Sequence, residues 1–156
     1  MNTISAITAL LLASAAVASN DDSPVRYRAH GMTVLMHSSM KTVTLVDGDN
    51  VLGNPVTFTC ASATGCVLVI DATVKKAKDN GGGLTCGYVD DSVPPPGCGP
   101  DAAYYGYETS GFVHEQAKVG PGPHTAKLVV NDGAGAEVTG WTAQYTIYDR
   151  KVHGTN

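Results

Sequence analysis

Charge is scarce in this 156-residue chain: Asp, Glu, Lys and Arg make up 15% of it, and ten basic against fourteen acidic residues leave a net charge of −4. With no basic stripe to neutralise phosphates, that balance argues against a nucleic-acid partner. Aromatics are also few, at 6%, and seven of them are Tyr against two Phe and one Trp. After residue 18 no apolar run approaches the roughly twenty residues that cross a bilayer as a helix. No window there keeps a helical hydrophobic period with caps. Cys-x-x-Cys, His-x-His, His-Glu-x-x-His and Gly-x-Ser-x-Gly are all missing, which removes the common zinc sites and the nucleophile elbow of hydrolases. The carboxylates Asp71, Asp90, Asp91, Glu108, Glu115 and Glu137 could pair as in a glycosidase only through proximity in space. No enzyme is expected.

What is present begins with an address. Ile4 to Ala18 is an apolar, small-residue run ending in Ala16-Val17-Ala18, the small-x-small pattern of a cleaved secretory signal, although no Lys or Arg precedes it. The expectation is a signal peptide over 1–18, a loose leader over 19–25, one domain over 26–150 and a tail over 151–156. The product would be secreted or periplasmic. Cys60, Cys66, Cys86 and Cys98 would pair outside the cytosol. Cys60–Cys66 with Cys86–Cys98 is the favoured connectivity, because each pair closes a short loop containing turn residues.

Period two dominates the rest. In Cys66–Lys75, Cys66, Leu68, Ile70, Ala72 and Val74 fall on one face, and the other face turns polar only at Asp71. His124–Asn131 sets Ala126, Leu128 and Val130 against Thr125, Lys127 and Asn131. Val138–Tyr148 sets Trp141, Ala143, Tyr145 and Ile147 against Thr142, Gln144, Thr146 and Tyr148. Weaker strand candidates are Arg26–Met36, Met40–Val46, Pro55–Cys60, Leu84–Val89, Tyr104–Glu108 and Gly111–Val119. Turns are expected at Asp47–Asn50, Asp79–Gly83 and Asn131–Gly133, and a stiff loop at Pro94–Gly97. Lys75, Lys76 and Lys78 read as a solvated strand end. The expected fold is all-β: an antiparallel two-sheet sandwich of eight or nine strands, jelly-roll or immunoglobulin-like, with two disulfides.

Three functional readings compete. Tyr104, Tyr105 and Tyr107, flanked by Tyr88 and Phe112, offer rigid amphipathic contact area for a glycan or a surface protein partner. The Cys86–Cys98 loop with Asp90 and Asp91 would lie beside them. A structural subunit that assembles through an exposed strand edge is the second reading. The third is copper binding, because Met32, Met36 and Met40 lie near His30 and His37, and soft thioethers suit cuprous ion. In a straight strand, however, residues four apart are about 13 Å apart, so that site needs a bend at Gly31 or at Ser38-Ser39. Otherwise these Met side chains fill a core face. For calcium, Asp47-Gly48-Asp49-Asn50 and Asp90-Asp91 are the candidates, both read first as plain turns. His114 and Glu115, adjacent in a strand, point to opposite faces. His114 and His124 could still meet on neighbouring strands.

The block FTCASATGCVLVIDATV, then LTCGYVDD, the Tyr-rich segment and GPGPHTAKLVV…YTIYD resembles small exported bacterial proteins of jelly-roll or immunoglobulin-like sandwich type. The likeness covers about residues 34–149. It implies the fold and export, and carries no residue roles.

Overall fold

A computed structural model describes residues 24–29, 31–78, 83–93, 99–100 and 109–150. Among the described residues ten strands follow in order: β1 (Val25–Ala29), β2 (Met32–Ser39), β3 (Val43–Thr44), β4 (Gly48–Cys60), β5 (Cys66–Lys78), β6 (Leu84–Val89), β7 (Gly99–Pro100), β8 (Thr109–Val119), β9 (Gly122–Asp132) and β10 (Glu137–Asp149). They form two antiparallel sheets. One runs β1-β2-β10-β5-β8, with β3 also on β10, and the other runs β4-β9-β6-β7. The pairs β2·β10, β4·β9, β5·β8 and β6·β7 are nested in the sequence, outermost to innermost. The chain therefore folds back on itself about β6–β7, and β10·β5 and β9·β6 stitch the doubled ribbon into sheets.

Period two fixes what faces inward. Cys66, Leu68, Ile70, Ala72 and Val74 of β5, Trp141 to Ile147 in steps of two on β10, and Leu35 on β2 join one buried cluster with Leu52, Val56, Phe58, Ala126, Leu128 and Val130 of the other sheet. The three strong strands of the sequence thus hold their predicted faces in a sandwich-like arrangement. The ladder of β10 on β5 runs unbroken from Trp141↔Val74 to Asp149↔Cys66. In β4 the register against β9 breaks between Leu52 and Val56. Gly53 there has φ +68°, and a Cβ on it would lie 2.7 Å from Trp141 Cζ2 and from His37 Cε1, so only glycine lets this backbone approach the indole.

Several expectations are corrected. Arg26–Met36 is not one strand: the chain reverses around Gly31 (φ +77°) into the β1–β2 hairpin. Gly48-Asp49-Asn50 opens β4 instead of forming a free turn, and Asn50 closes the bend before it by accepting from the Val46 N–H (2.9 Å). Of Met40–Val46 only Val43–Thr44 is a strand. Asn131 and Asp132 still belong to β9. Lys76 does not sit at a solvated end. It shares the inward parity of Val74, and its ammonium lies 2.9 Å from Asp132 Oδ2, with both side chains at most 1% exposed.

Among the described residues one disulfide is seen, Cys60–Cys66. It clamps the corner where the chain leaves β4 in one sheet and enters β5 in the other. Cys98 lies outside the described residues, as do the signal and tail segments, the Asp79–Gly82 turn residues, the proline loop and Tyr104–Glu108. No helix among the described residues is long and apolar enough to cross a membrane.

Candidate functional site

The outward positions of the larger sheet line up as rows across four strands. Register places Ser38, Thr142, Thr73 and Phe112 in one row and Met36, Gln144, Asp71 and His114 in the next. Together they surround a shallow cleft of about 500 Å³. Phe112 stands 57% exposed at its rim. On the same row as Gln144, His114 Nδ1 meets Asp71 Oδ1 at 2.6 Å, with both side chains largely in solvent. Such an exposed pair adds little stability, about 0–1 kcal/mol, but it orients a carboxylate and an imidazole side by side above the sheet. The next row toward the β1–β2 hairpin holds Tyr27, Val34, Thr146, Val69 and Gln116, and beyond it lie Met32, Tyr148, Val67 and Lys118. Tyr27 (59%) and Tyr148 (45%) are exposed there. The face therefore offers separated aromatic surfaces with hydroxyl, amide, carboxylate and imidazole groups between them.

A second polar cluster gathers where β6 ends. Asp90 and Asp91 are both left-handed (φ 48° and 60°), a conformation Asp tolerates better than most residues. Asp90 accepts from the Thr125 N–H (2.9 Å) and meets His124 Nδ1 at 2.6 Å, while Asp91 pairs with Lys127 at 2.6 Å. Lys127 lies 5.3 Å from the centre of the Tyr88 ring, and Tyr88 donates to Asp49, which also accepts from Asn131. His124 Nε2 faces the Gly120 carbonyl at 2.9 Å, and its ring packs against Phe58. With an acceptor at each nitrogen, the ring suits the doubly protonated form. A cleft of about 670 Å³ opens beside it, lined by Asp90, Ser92, Gln116 and His124 among others.

The Thr125 amide and then His124 hold the Asp90 carboxyl below its usual value. Partial burial pulls the His124 pKa down, but Asp90 and the Gly120 carbonyl outweigh it and leave it raised. The signs follow by linkage. A depressed Asp90 contributes stability above its unfolded value and loses it as pH falls through the folded one. A raised His124 contributes fully below its unfolded value and loses it as pH rises through the folded one. Their joint contribution therefore peaks between about pH 4 and 6.5. The stability difference between the wild type and His124→Asn, from urea midpoints, is expected to shrink from pH 6 to pH 8. A constant difference over that range would show that the ring does not titrate in this way.

The structure sorts the sequence candidates. Asp90 and Asp91 sit together on the His124–Lys127 cluster. Tyr104, Tyr105, Tyr107 and His30 lie outside the described residues. Met36 and His37 point to opposite faces of β2: Met36 is exposed, while His37 is buried edge-on to Trp141 at 4.7 Å. Met40 is 84% exposed past the strand end. The expectation that these Met side chains fill a core face is corrected at Met36 and Met40, which face solvent. Among the described residues no three His, Cys, Asp or Glu side chains cluster as metal ligands. Both oxygens of Asp49 are already engaged, by Tyr88 and Asn131. His114 and Glu115 do face opposite ways: His114 is on the outer face, and Glu115 is buried with Oε1 accepting from the Gly87 N–H at 3.1 Å. Burial raises the Glu115 pKa, and the Gly87 hydrogen bond offsets only part of that. His124 is on the other sheet from His114 and does not meet it. Sequence reasoning missed the Asp71–His114 pairing, although Asp71 was already conspicuous as the first polar residue on its face.

No protein-family model matches the chain, and no curated protein sequence does. Among solved structures it is similar to dimeric latent PorU from Porphyromonas gingivalis (10% identity, TM-score 0.47), over 87% of this chain and 14% of that one. It is also similar to the GH26-CBM35 β-(1,4)-mannanase of Podospora anserina (17% identity, TM-score 0.29), over 86% of this chain and 29% of that one. A third neighbour is infectious bursal disease virus, Gx strain (14% identity, TM-score 0.27), with 84% and 43% covered. The chain thus spans less than half the length of each. All three are too distant to transfer any role.

Proposed function

We propose that this is an exported recognition module whose contact surface is the outer face of the larger sheet and whose ligand is a glycan. The observation that supports it is the 500 Å³ cleft, where exposed Phe112 borders the paired Asp71 and His114 and the amide of Gln144. A sugar presents apolar C–H faces and a rim of hydroxyls. An aromatic ring takes the first, and planar carboxylate, amide and imidazole groups take the second. No catalytic step is part of this reading. Export rests on the Ile4–Ala18 run and on the disulfide, which fits an oxidising compartment. We assign the nested strand order to a jelly roll, an architecture shared by lectin and capsid domains, and complete the disulfide set with Cys86–Cys98. Tyr104, Tyr105 and Tyr107 remain a candidate second contact.

The test is a pull-down on insoluble cellulose, xylan, mannan and peptidoglycan, with tryptophan fluorescence following the melt. Phe112→Ala with His114→Ala is expected to weaken binding at least tenfold while the melting curve stays within error, because both side chains are exposed. Retained binding by the double variant would move the site off this face. Absence of binding to every polysaccharide would end the glycan reading. The edge strand β8, eleven residues long and with a ladder only to β5 among the described residues, favours assembly as the second reading. Concentration-dependent oligomers in light scattering would support it.

A further inference from the structure

The buried Lys76–Asp132 contact joins the two sheets, β5 to β9, across 56 positions of sequence. Nζ stands 2.9 Å from Oδ2, with the side chains 0% and 1% exposed, and the other carboxylate oxygen, Oδ1, accepts from the Gly133 N–H at 2.7 Å. Gly83 covers the pair. A Cβ there would lie 2.3 Å from Nζ and 2.8 Å from Oδ2, so only glycine lets the backbone pack this close to the pair. We propose that Lys76 and Asp132 condense, joining Nζ to Cγ in an amide that ties the two sheets covalently.

Each observation has a place in that step. The step begins with the ammonium passing one proton to the carboxylate it touches, which leaves an amine beside a carboxylic acid. At 2.9 Å from Oδ2, Nζ touches an atom one bond away from the carbon it attacks. The Nζ lone pair adds to Cγ, and the negative charge that develops on Oδ1 is held by the Gly133 N–H, placed as an oxyanion donor. The Cγ–Oδ2 bond then breaks. Oδ2 departs as water, carrying the carboxyl proton and one proton from Nζ, and the amide remains. Nothing is oxidised or reduced, and no further reactant is consumed. Exclusion of bulk water from the pair slows the reverse hydrolysis.

The experiment is a tryptic map and intact mass of the purified protein after reduction and alkylation. The expected result is a branched peptide in which the Lys76 segment is joined to the Asp132 segment, one water lighter than their sum, with no cleavage after Lys76. Asp132→Ala should lose the branch. Asp132→Asn should keep it, releasing ammonia in place of water, so that its cross-linked chain has the same mass as the cross-linked wild type. Wild-type protein that is cleaved after Lys76 and yields two separate peptides of full mass would overturn the proposal, whatever the variants do.

Discussion

Asp132→Ala is expected to cost about 3–5 kcal/mol of folding free energy, the usual penalty for stripping the partner from a buried charge. For a domain of this size that is a drop in Tm of roughly 10 °C or more. The reasoning starts from parity. Lys76 follows Val74 on the inward face of β5, so its side chain enters the core whether or not a counter-charge is there. Asp132 reaches it from the last position of β9, with its second oxygen on the Gly133 N–H. Removing the carboxylate deprives Lys76 of the Asp132 oxygen 2.9 Å away and of the amide proposed between them. Asp132→Asn keeps a polar partner of the same shape and should lose much less. Lys118→Ala, on the exposed outer face of β8, serves as the control and should stay within about 0.5 kcal/mol. Urea denaturation of the three variants decides the matter. An Asp132→Ala chain as stable as the control would show that the pair contributes nothing to the fold.

Trp141→Ala should be comparably severe, about 3–5 kcal/mol. The indole is buried on the inward row of β10, edge-on to His37 at 4.7 Å and under the backbone of Gly53. Three strands from both sheets converge on it: β2, β10 and β4. Their backbones cannot close the gap left by its loss, because the β10 ladder to β5 and the β4 ladder to β9 hold them apart. Circular dichroism is the appropriate probe, since the substitution removes the only Trp. A loss below about 1 kcal/mol would mean that the site collapses freely around a smaller residue. In that case Gly53→Ala, which drives a Cβ into the indole of the wild type, should cost less in the Trp141→Ala background, with His37 and the φ of +68° still opposing it.

Much of the fold was legible because one face of each long strand must be apolar. Cys66–Lys75, His124–Asn131 and Val138–Tyr148 announce their inward rows directly, and Cys60 and Cys66 announce the corner between them. Short elements gave weaker signals. Nothing local distinguishes a continuous Arg26–Met36 strand from a hairpin, because a glycine in a strand and a glycine in a turn read alike. Asp47–Asn50 looks like a turn by composition, but pairing with the far end of β9 draws Gly48 onward into the ladder. Lys76 misled for a deeper reason: the cost of burying an ammonium is met by a residue 56 positions away. The same holds for the candidate site. Asp71, Gln144, His114 and Phe112 share no sequence neighbourhood, and only the register of β10, β5 and β8 places them around one cleft.

Strand β5 carries a cross-sheet fastening near each end, the Cys66 disulfide to β4 and the Lys76 contact to β9. In mechanical terms it is a rung bolted to both rails, and the two layers cannot be pried apart from either pole like a clamshell. Tension applied along the chain would meet the bolts before it could peel the ladders between them.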